Sequence, residues 1–166
     1  TEKIVEECAI HFDFYENRKS QNKKRYGKSL QEDIAHIQQL CQEGLGYRYS
    51  KVTPQIEARI KKELDLIGKM DYVPFFLINW DIIKYAQHKG YYHVGRGSGA
   101  NSIVAYLLGI TDVDPIELDL YFERFMNLYR ANPPDFDIDF SWRDRQDVTR
   151  YIFERFGQEG DRKSVV

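Results

Sequence analysis

The chain has 166 residues, 42% hydrophobic and 30% charged, with a formal net charge of −2. That profile fits one globular domain able to bury a core. It excludes a strongly basic nucleic-acid-binding module of the usual kind, and no apolar run approaches the ~18 residues of a membrane-spanning helix. The opening Thr1-Glu2-Lys3-Ile4-Val5-Glu6-Glu7 is too acidic for a signal peptide and lacks an initiator Met, as expected of an excised piece. Cys8 and Cys41 have no Cys-x-x-Cys spacing, and His11, His36, His88 and His93 are scattered. A reduced, cytoplasmic chain is expected.

Residues 2–10 read as a short helix. From residue 18 to residue 28 the chain carries Lys19, Lys23, Lys24 and Arg25 with no acid, which reads as a solvated loop. Ser29 then caps a helix, with Glu32 completing a capping box. Its apolar stripe is Leu30, Ile34, Ile37 and Cys41, and Gly44 is expected to end it. Thr53-Pro54 starts a second helix, with Ile56, Ile60, Leu64 and Ile67 inward and Gly68 as its stop. Pro74 opens a third helix that is apolar nearly all round and therefore central. Residues 91–94 read as a strand, 95–99 as a turn and 100–108 as an apolar helix. Residues 115–128 look mostly helical. Residues 135–140 alternate as a strand, and 143–156 form a final amphipathic helix. The predicted class is α/β (α+β), a small sheet flanked by many helices. A helical lead-in covers residues 1–50, and the domain core covers 51–166.

Two features carry chemistry. The first is Asp135-Phe136-Asp137-Ile138-Asp139-Phe140. On a strand, side chains alternate faces, so Asp135, Asp137 and Asp139 share one face, with neighbouring acids about 7 Å apart along the strand. Their tips can converge on ions about 3.5–4 Å apart, the spacing of two-metal phosphoryl transfer. Oxygen ligands select hard cations, so Mg²⁺ or Mn²⁺ is implied. A calcium loop of the EF-hand kind is excluded, because Phe140 and Gln146 stand where Gly and Glu are needed. An exposed acidic strand face is the plainer alternative.

The second feature is Gly95-Arg96-Gly97-Ser98-Gly99-Ala100-Asn101-Ser102. Glycines permit close backbone approach, and a helix N-terminus offers free N–H groups to phosphate. No Gly-Lys-Ser/Thr follows, so it is not a P-loop. Gly95, Gly97 and Ala100 match the dinucleotide fingerprint, with Asp114 at the distance of its acid. A nucleotide-cofactor (NAD-type) domain is therefore one alternative, and a non-catalytic helical interaction module is another.

The two features follow one another within a longer series. Phe75-Phe76-Leu77-Ile78, Gly95-Arg96-Gly97-Ser98-Gly99-Ala100, Leu108-Gly109-Ile110-Thr111-Asp112-Val113-Asp114-Pro115, Phe122-Glu123-Arg124-Phe125 and Pro134-Asp135-Phe136-Asp137-Ile138-Asp139-Phe140 stand in one order. In this the chain resembles the bacterial DNA polymerase III alpha subunit family, from about residue 50 to residue 157. The resemblance implies a nucleotidyltransferase-like palm and a DNA-directed DNA polymerase using two Mg²⁺ ions, with Mn²⁺ as a substitute. It implies Asp137 and Asp139 as metal ligands and Gly97 and Ser98 as the triphosphate-binding turn. Arg96 and Arg130 are expected phosphate contacts on charge grounds, and Asp135 is expected to support a ligand rather than be one. The implied partners are primer-template DNA, a deoxynucleoside triphosphate and other holoenzyme subunits, the last through parts beyond this chain. Two departures stand out: Asn101 replaces a common Gly, and Leu128-Tyr129 replaces a Pro-Glu pair. The family's third carboxylate lies beyond these motifs, so this piece alone is expected to be inactive.

Overall fold

The computed structural model describes residues 25–129 and 134–157. The expected helix at 2–10, most of the basic run, Cys8, Arg130 and Pro133 lie outside them. Three helices come first: α1 (Leu30–Arg48), α2 (Pro54–Lys69) and α3 (Val73–His88). Strand β1 (His93–Arg96), a 3₁₀ turn (Gly97–Asn101) and the short helix α4 (Ile103–Leu107) follow. A second 3₁₀ turn (Phe122–Arg124), strand β2 (Asp137–Phe140) and helix α5 (Arg145–Phe156) complete the order. Among the described residues, the sheet is the antiparallel pair β1–β2. This is a mixed helical fold with a small sheet, as the α/β (α+β) class anticipates.

The helix starts follow their sequence signals. Ser29 Oγ accepts the Glu32 N–H at 3.2 Å, and Glu32 answers by accepting the Lys28 N–H at 3.2 Å. Thr53 caps α2 with Pro54 in its first turn. The end of α1 does not fall where expected. Gly44 lies inside the helix, where a Cβ would come 2.3 Å from the Leu107 carbonyl oxygen. The glycine is there for close helix crossing, not termination, and α1 continues to Arg48.

The core is built from Ile37, Cys41, Ile56, Ile67, Phe76, Leu77, Ile83, Val104 and Phe125, with α4 buried along its whole length. Burial pushes the Cys41 thiol up to about 12, so it behaves as a small apolar side chain. Residues 115–128 are not mostly helical. Asp114 Oδ1 takes the N–H groups of Ile116 and Glu117 at 2.8 and 3.3 Å, Asp119 has a positive φ of 49°, and only the 3₁₀ turn forms. No described helix is long and apolar enough to cross a membrane.

Candidate active site

Register places the site. Strand β1 pairs with β2 so that Val94 faces Asp139 and Arg96 faces Asp137. Alternation then puts Val94, Arg96, Asp137 and Asp139 on the open face of the ribbon, and these side chains are exposed. Gly95, Ile138, His93 and Phe140 are half-buried on the opposite face. The other edge of β1 is pinned by Thr111 Oγ1, which donates to the Gly95 carbonyl, and by His93 Nε2, 3.0 Å from the Gly109 carbonyl.

The approach to β2 is held by aromatic packing. The Phe136 ring stacks on Phe75 at 5.2 Å between centroids and meets Phe76 edge-on at 5.2 Å. Asp135 precedes the paired strand and is exposed, like Asp137 and Asp139, while Phe136 between them is half-buried. The alternation expected over residues 135–140 holds, although pairing begins only at Asp137.

Arg96 lies between the two strand carboxylates. Its Nε is 2.6 Å from Asp139 Oδ2, and its Nη1 is 3.7 Å from Asp137 Oδ2. The Asp139 carboxylate pushes the Arg96 guanidinium pKa further up. Directly after it, Gly97 adopts a positive φ of 74°, and a Cβ there would come 2.5 Å from Asp137 Oδ2. Glycine is required here by backbone conformation, and a side chain would also displace the Asp137 carboxylate. Ser98, next in the turn, is half-buried. The structure thus brings Arg96, Gly97, Asp137 and Asp139 into one cluster.

The α4 N-terminus is not open to a phosphate, contrary to the expectation for this turn. Its N–H groups are taken from inside the protein by Glu63, a fully buried carboxylate on α2. Glu63 accepts hydrogen bonds from Ser102 Oγ (2.8 Å), Ile103 N (3.2 Å), Val104 N (3.3 Å) and Arg59 Nε (2.7 Å). Burial pushes its pKa up, and these donors pull against that rise. Any phosphate contact falls instead to the backbone of the 3₁₀ turn. Sequence reading passed over Glu63 and named Leu64 in its stripe. The residues buried on α2 are Ile56, Ile60, Glu63 and Ile67, so a charged residue at apolar spacing was the available signal.

Among the described residues, no three His, Cys, Asp or Glu side chains converge as a metal site. Asp137 and Asp139 supply two carboxylates on one open face. Mg²⁺ is commonly held by one or two carboxylates, with water and substrate phosphate completing its shell. The donor set fits that mode once Arg96 turns away from Asp139.

The dinucleotide alternative does not fit. Its strands must run parallel, and here they are antiparallel. Asp114, its required acid, instead serves a local turn and accepts the Tyr49 hydroxyl at 2.8 Å.

The family model for the bacterial DNA polymerase III alpha NTPase domain matches residues 35–164. A DNA polymerase III subunit alpha from Treponema pallidum (strain Nichols) is 50% identical over 125 residues, covering 75% of this chain and 11% of the relative. An error-prone DNA polymerase from Anaeromyxobacter dehalogenans (strain 2CP-C) is 41% identical over 127 residues, covering 76% of this chain and 11% of that protein. An error-prone DNA polymerase from Symbiobacterium thermophilum is 44% identical over 125 residues, covering 75% and 12%. The chain therefore spans little more than a tenth of the length of these curated relatives. With that match running over the helices, the glycine turn and the aspartate strand alike, the chain belongs to the bacterial DNA polymerase III alpha NTPase domain family.

Proposed function

We propose that the chain is part of the nucleotidyltransferase-like catalytic palm of a DNA-directed DNA polymerase. It acts within a longer polypeptide that extends a primer with deoxynucleoside triphosphates. The observation that carries this reading is the contact of turn and strand: Gly97 lies against Asp137, and Asp139 stands on the same open face. A triphosphate held by the turn has its phosphates beside both carboxylates.

The chain's own residues have distinct tasks in this reading. Asp137 and Asp139 hold two Mg²⁺ ions, or Mn²⁺. Metal held by these two carboxylates would supply charge stabilisation and activation of the primer 3′-hydroxyl. Gly97 and Ser98 bind the triphosphate, with Ser98 free to add a hydroxyl hydrogen bond. Arg96 and Arg130 would supply positive contacts to the phosphates. Asp135 supports the metal ligands from the strand's entrance. The template selects the base, and other holoenzyme subunits bind elsewhere on the longer chain. The setting is cytoplasmic.

The test is primer extension by the polymerase chain carrying this sequence, with Mn²⁺ binding followed in parallel. The proposal expects Mn²⁺ binding that nucleotide strengthens in the wild type, and none after Asp137 and Asp139 are both changed to Asn. Normal extension by that double variant overturns it.

A further inference from the structure

We propose that Arg59 and Glu63, an ion pair on α2 in which the half-buried Arg59 meets the fully buried Glu63, are positioning residues for the triphosphate-binding turn. This rests on the polymerase reading above and deepens it. The two residues sit one helical turn apart, joined by Arg59 Nε and Glu63 Oε1 at 2.7 Å. From that anchor Arg59 Nη2 donates to the Asn101 carbonyl at 2.9 Å and to the Leu120 carbonyl at 2.8 Å. Asn101 in turn donates from its side-chain amide to the Ser98 carbonyl at 2.8 Å. A continuous chain of contacts therefore runs from α2 through Asn101 to Ser98. Glu63 fixes the other side, holding Ser102, Ile103 and Val104 where the turn enters α4.

A buried carboxylate such as Glu63 is a poor device for stability alone. An apolar side chain of similar volume could fill the Ile56, Ile60, Ile67 stripe at lower desolvation cost. What the pair supplies is one geometry. The turn is a single glycine-rich 3₁₀ segment, with Gly97 at positive φ, and a glycine backbone has many alternatives. Two charges with six directed hydrogen bonds select one of them. Glu63 also neutralises the α4 terminus, so an incoming triphosphate meets only the turn. Arg59 is spent on Glu63 and two carbonyls, and so is not itself a phosphate contact.

The test uses the polymerase chain that carries this sequence, with Arg59→Lys and Glu63→Gln. Lysine keeps the charge but cannot reach Glu63 and two carbonyls as a fork. Glutamine keeps the shape but turns an N–H group toward a donor. Each folded variant is expected to raise KM for the deoxynucleoside triphosphate by about 10–100-fold, the range for residues that orient a ligand through another group. KM for primer-template and the Kd for Mn²⁺ measured without nucleotide are expected to stay near wild type, which a general loss of structure would not allow. The inference is overturned if nucleotide KM stays within about twofold of wild type in a folded variant, or if both KM values rise together. It is also overturned if neither variant folds, because the pair then serves folding. If the wild type itself extends no primer, the polymerase reading has failed and the inference falls with it.

Discussion

Arg96 and Asp139 are joined across the ribbon by a 2.6 Å contact from Nε to Oδ2, and the same guanidinium stands 3.7 Å from Asp137. One cation therefore screens two carboxylates that must otherwise face each other, and a divalent ion has to compete with it. Arg96→Gln should tighten Mn²⁺ binding without nucleotide. The pair is open to solvent, so the gain should be no more than roughly 5-fold in Kd. Nucleotide affinity should fall in the same variant. Titration of free Mn²⁺ by electron paramagnetic resonance measures the first effect, and unchanged or weaker Mn²⁺ binding would show that Arg96 does not compete.

The aspartates should rank by position on the strand. Asp137 and Asp139 lie within the paired segment, whereas Asp135 lies before it. In the longer polymerase chain, Asp137→Asn and Asp139→Asn should each nearly abolish extension with folding intact. Asp135→Asn should lose about 10–100-fold, the usual cost of a supporting contact, and keep measurable turnover. Steady-state extension assays on the three variants decide the order. It is wrong if Asp135→Asn is as inactive as the others.

The glycine turn should separate into two phenotypes. A side chain at Gly97 meets both an unfavourable φ and the Asp137 carboxylate, so Gly97→Val should weaken nucleotide and Mn²⁺ binding together. Ser98→Ala removes one hydroxyl, worth roughly 0.5–1.5 kcal/mol net, and should affect nucleotide alone. Calorimetric titrations with each ligand distinguish them. Intact Mn²⁺ binding in Gly97→Val would show that the turn does not hold the Asp137 carboxylate in place.

The 166-residue chain by itself should not extend a primer at a meaningful rate. It spans little more than a tenth of its relatives' length, and among its described residues no three His, Cys, Asp or Glu side chains converge as a metal site. Each 1.36 kcal/mol of transition-state stabilisation that is missing costs about tenfold. Extension by this purified chain, abolished by Asp139→Ala, would show the site to be complete.

Alkaline pH should weaken the attachment of α5. Asp81, buried on α3, accepts the hydroxyls of Tyr26 and Tyr151 and lies 3.3 Å from Arg155. Burial first, then the Asp81 hydrogen bond, pushes both tyrosines up to about 12 from the ordinary 10.0. A group that holds its proton more tightly when folded contributes fully below its unfolded pKa and loses that contribution as pH rises through its folded one. Stability should therefore decline between about pH 10 and pH 12. Asp81→Asn should lower stability near neutrality by about 1.5–3 kcal/mol and flatten the alkaline decline. Urea unfolding as a function of pH measures both, and an equally steep decline in the variant would remove Asp81 as the cause.

Local signals made much of this architecture legible. Ser29 and Thr53 announce their helices because a cap hydrogen bond spans three residues and needs no distant partner. The order of the motifs carried the family, and the alternation of residues 135–140 carried the exposed aspartates. What failed was whatever depends on a distant neighbour. Gly44 looks like a stop until Leu107 is known to lie across it. The helix expected at 115–128 closes after its first turn, where Asp119 takes a positive φ and the Leu120 N–H reaches back to the Pro115 carbonyl. The pairing of Arg96 with Asp137 joins segments far apart in sequence, and no periodicity encodes that register. Glu63 stayed hidden because its hydrogen-bond partners lie on another helix.

Helix α4 has only five residues, well below the length at which a helix holds itself together in water. Its two ends are completed by side chains from other helices: Glu63 of α2 at the start, and Arg48 of α1, which donates to the Tyr106 carbonyl at 3.2 Å, at the finish. A helix assembled this way depends on α1 and α2 for the groups that complete its ends, and the glycine turn that leads into it shares that dependence. Amides at Ile103 and Val104, shielded by a carboxylate rather than by a helical carbonyl, should exchange with solvent only when the whole unit opens. The nucleotide side of the site is thereby tied to global cooperativity, while the aspartate face on its two-stranded ribbon is left as the part able to adjust locally.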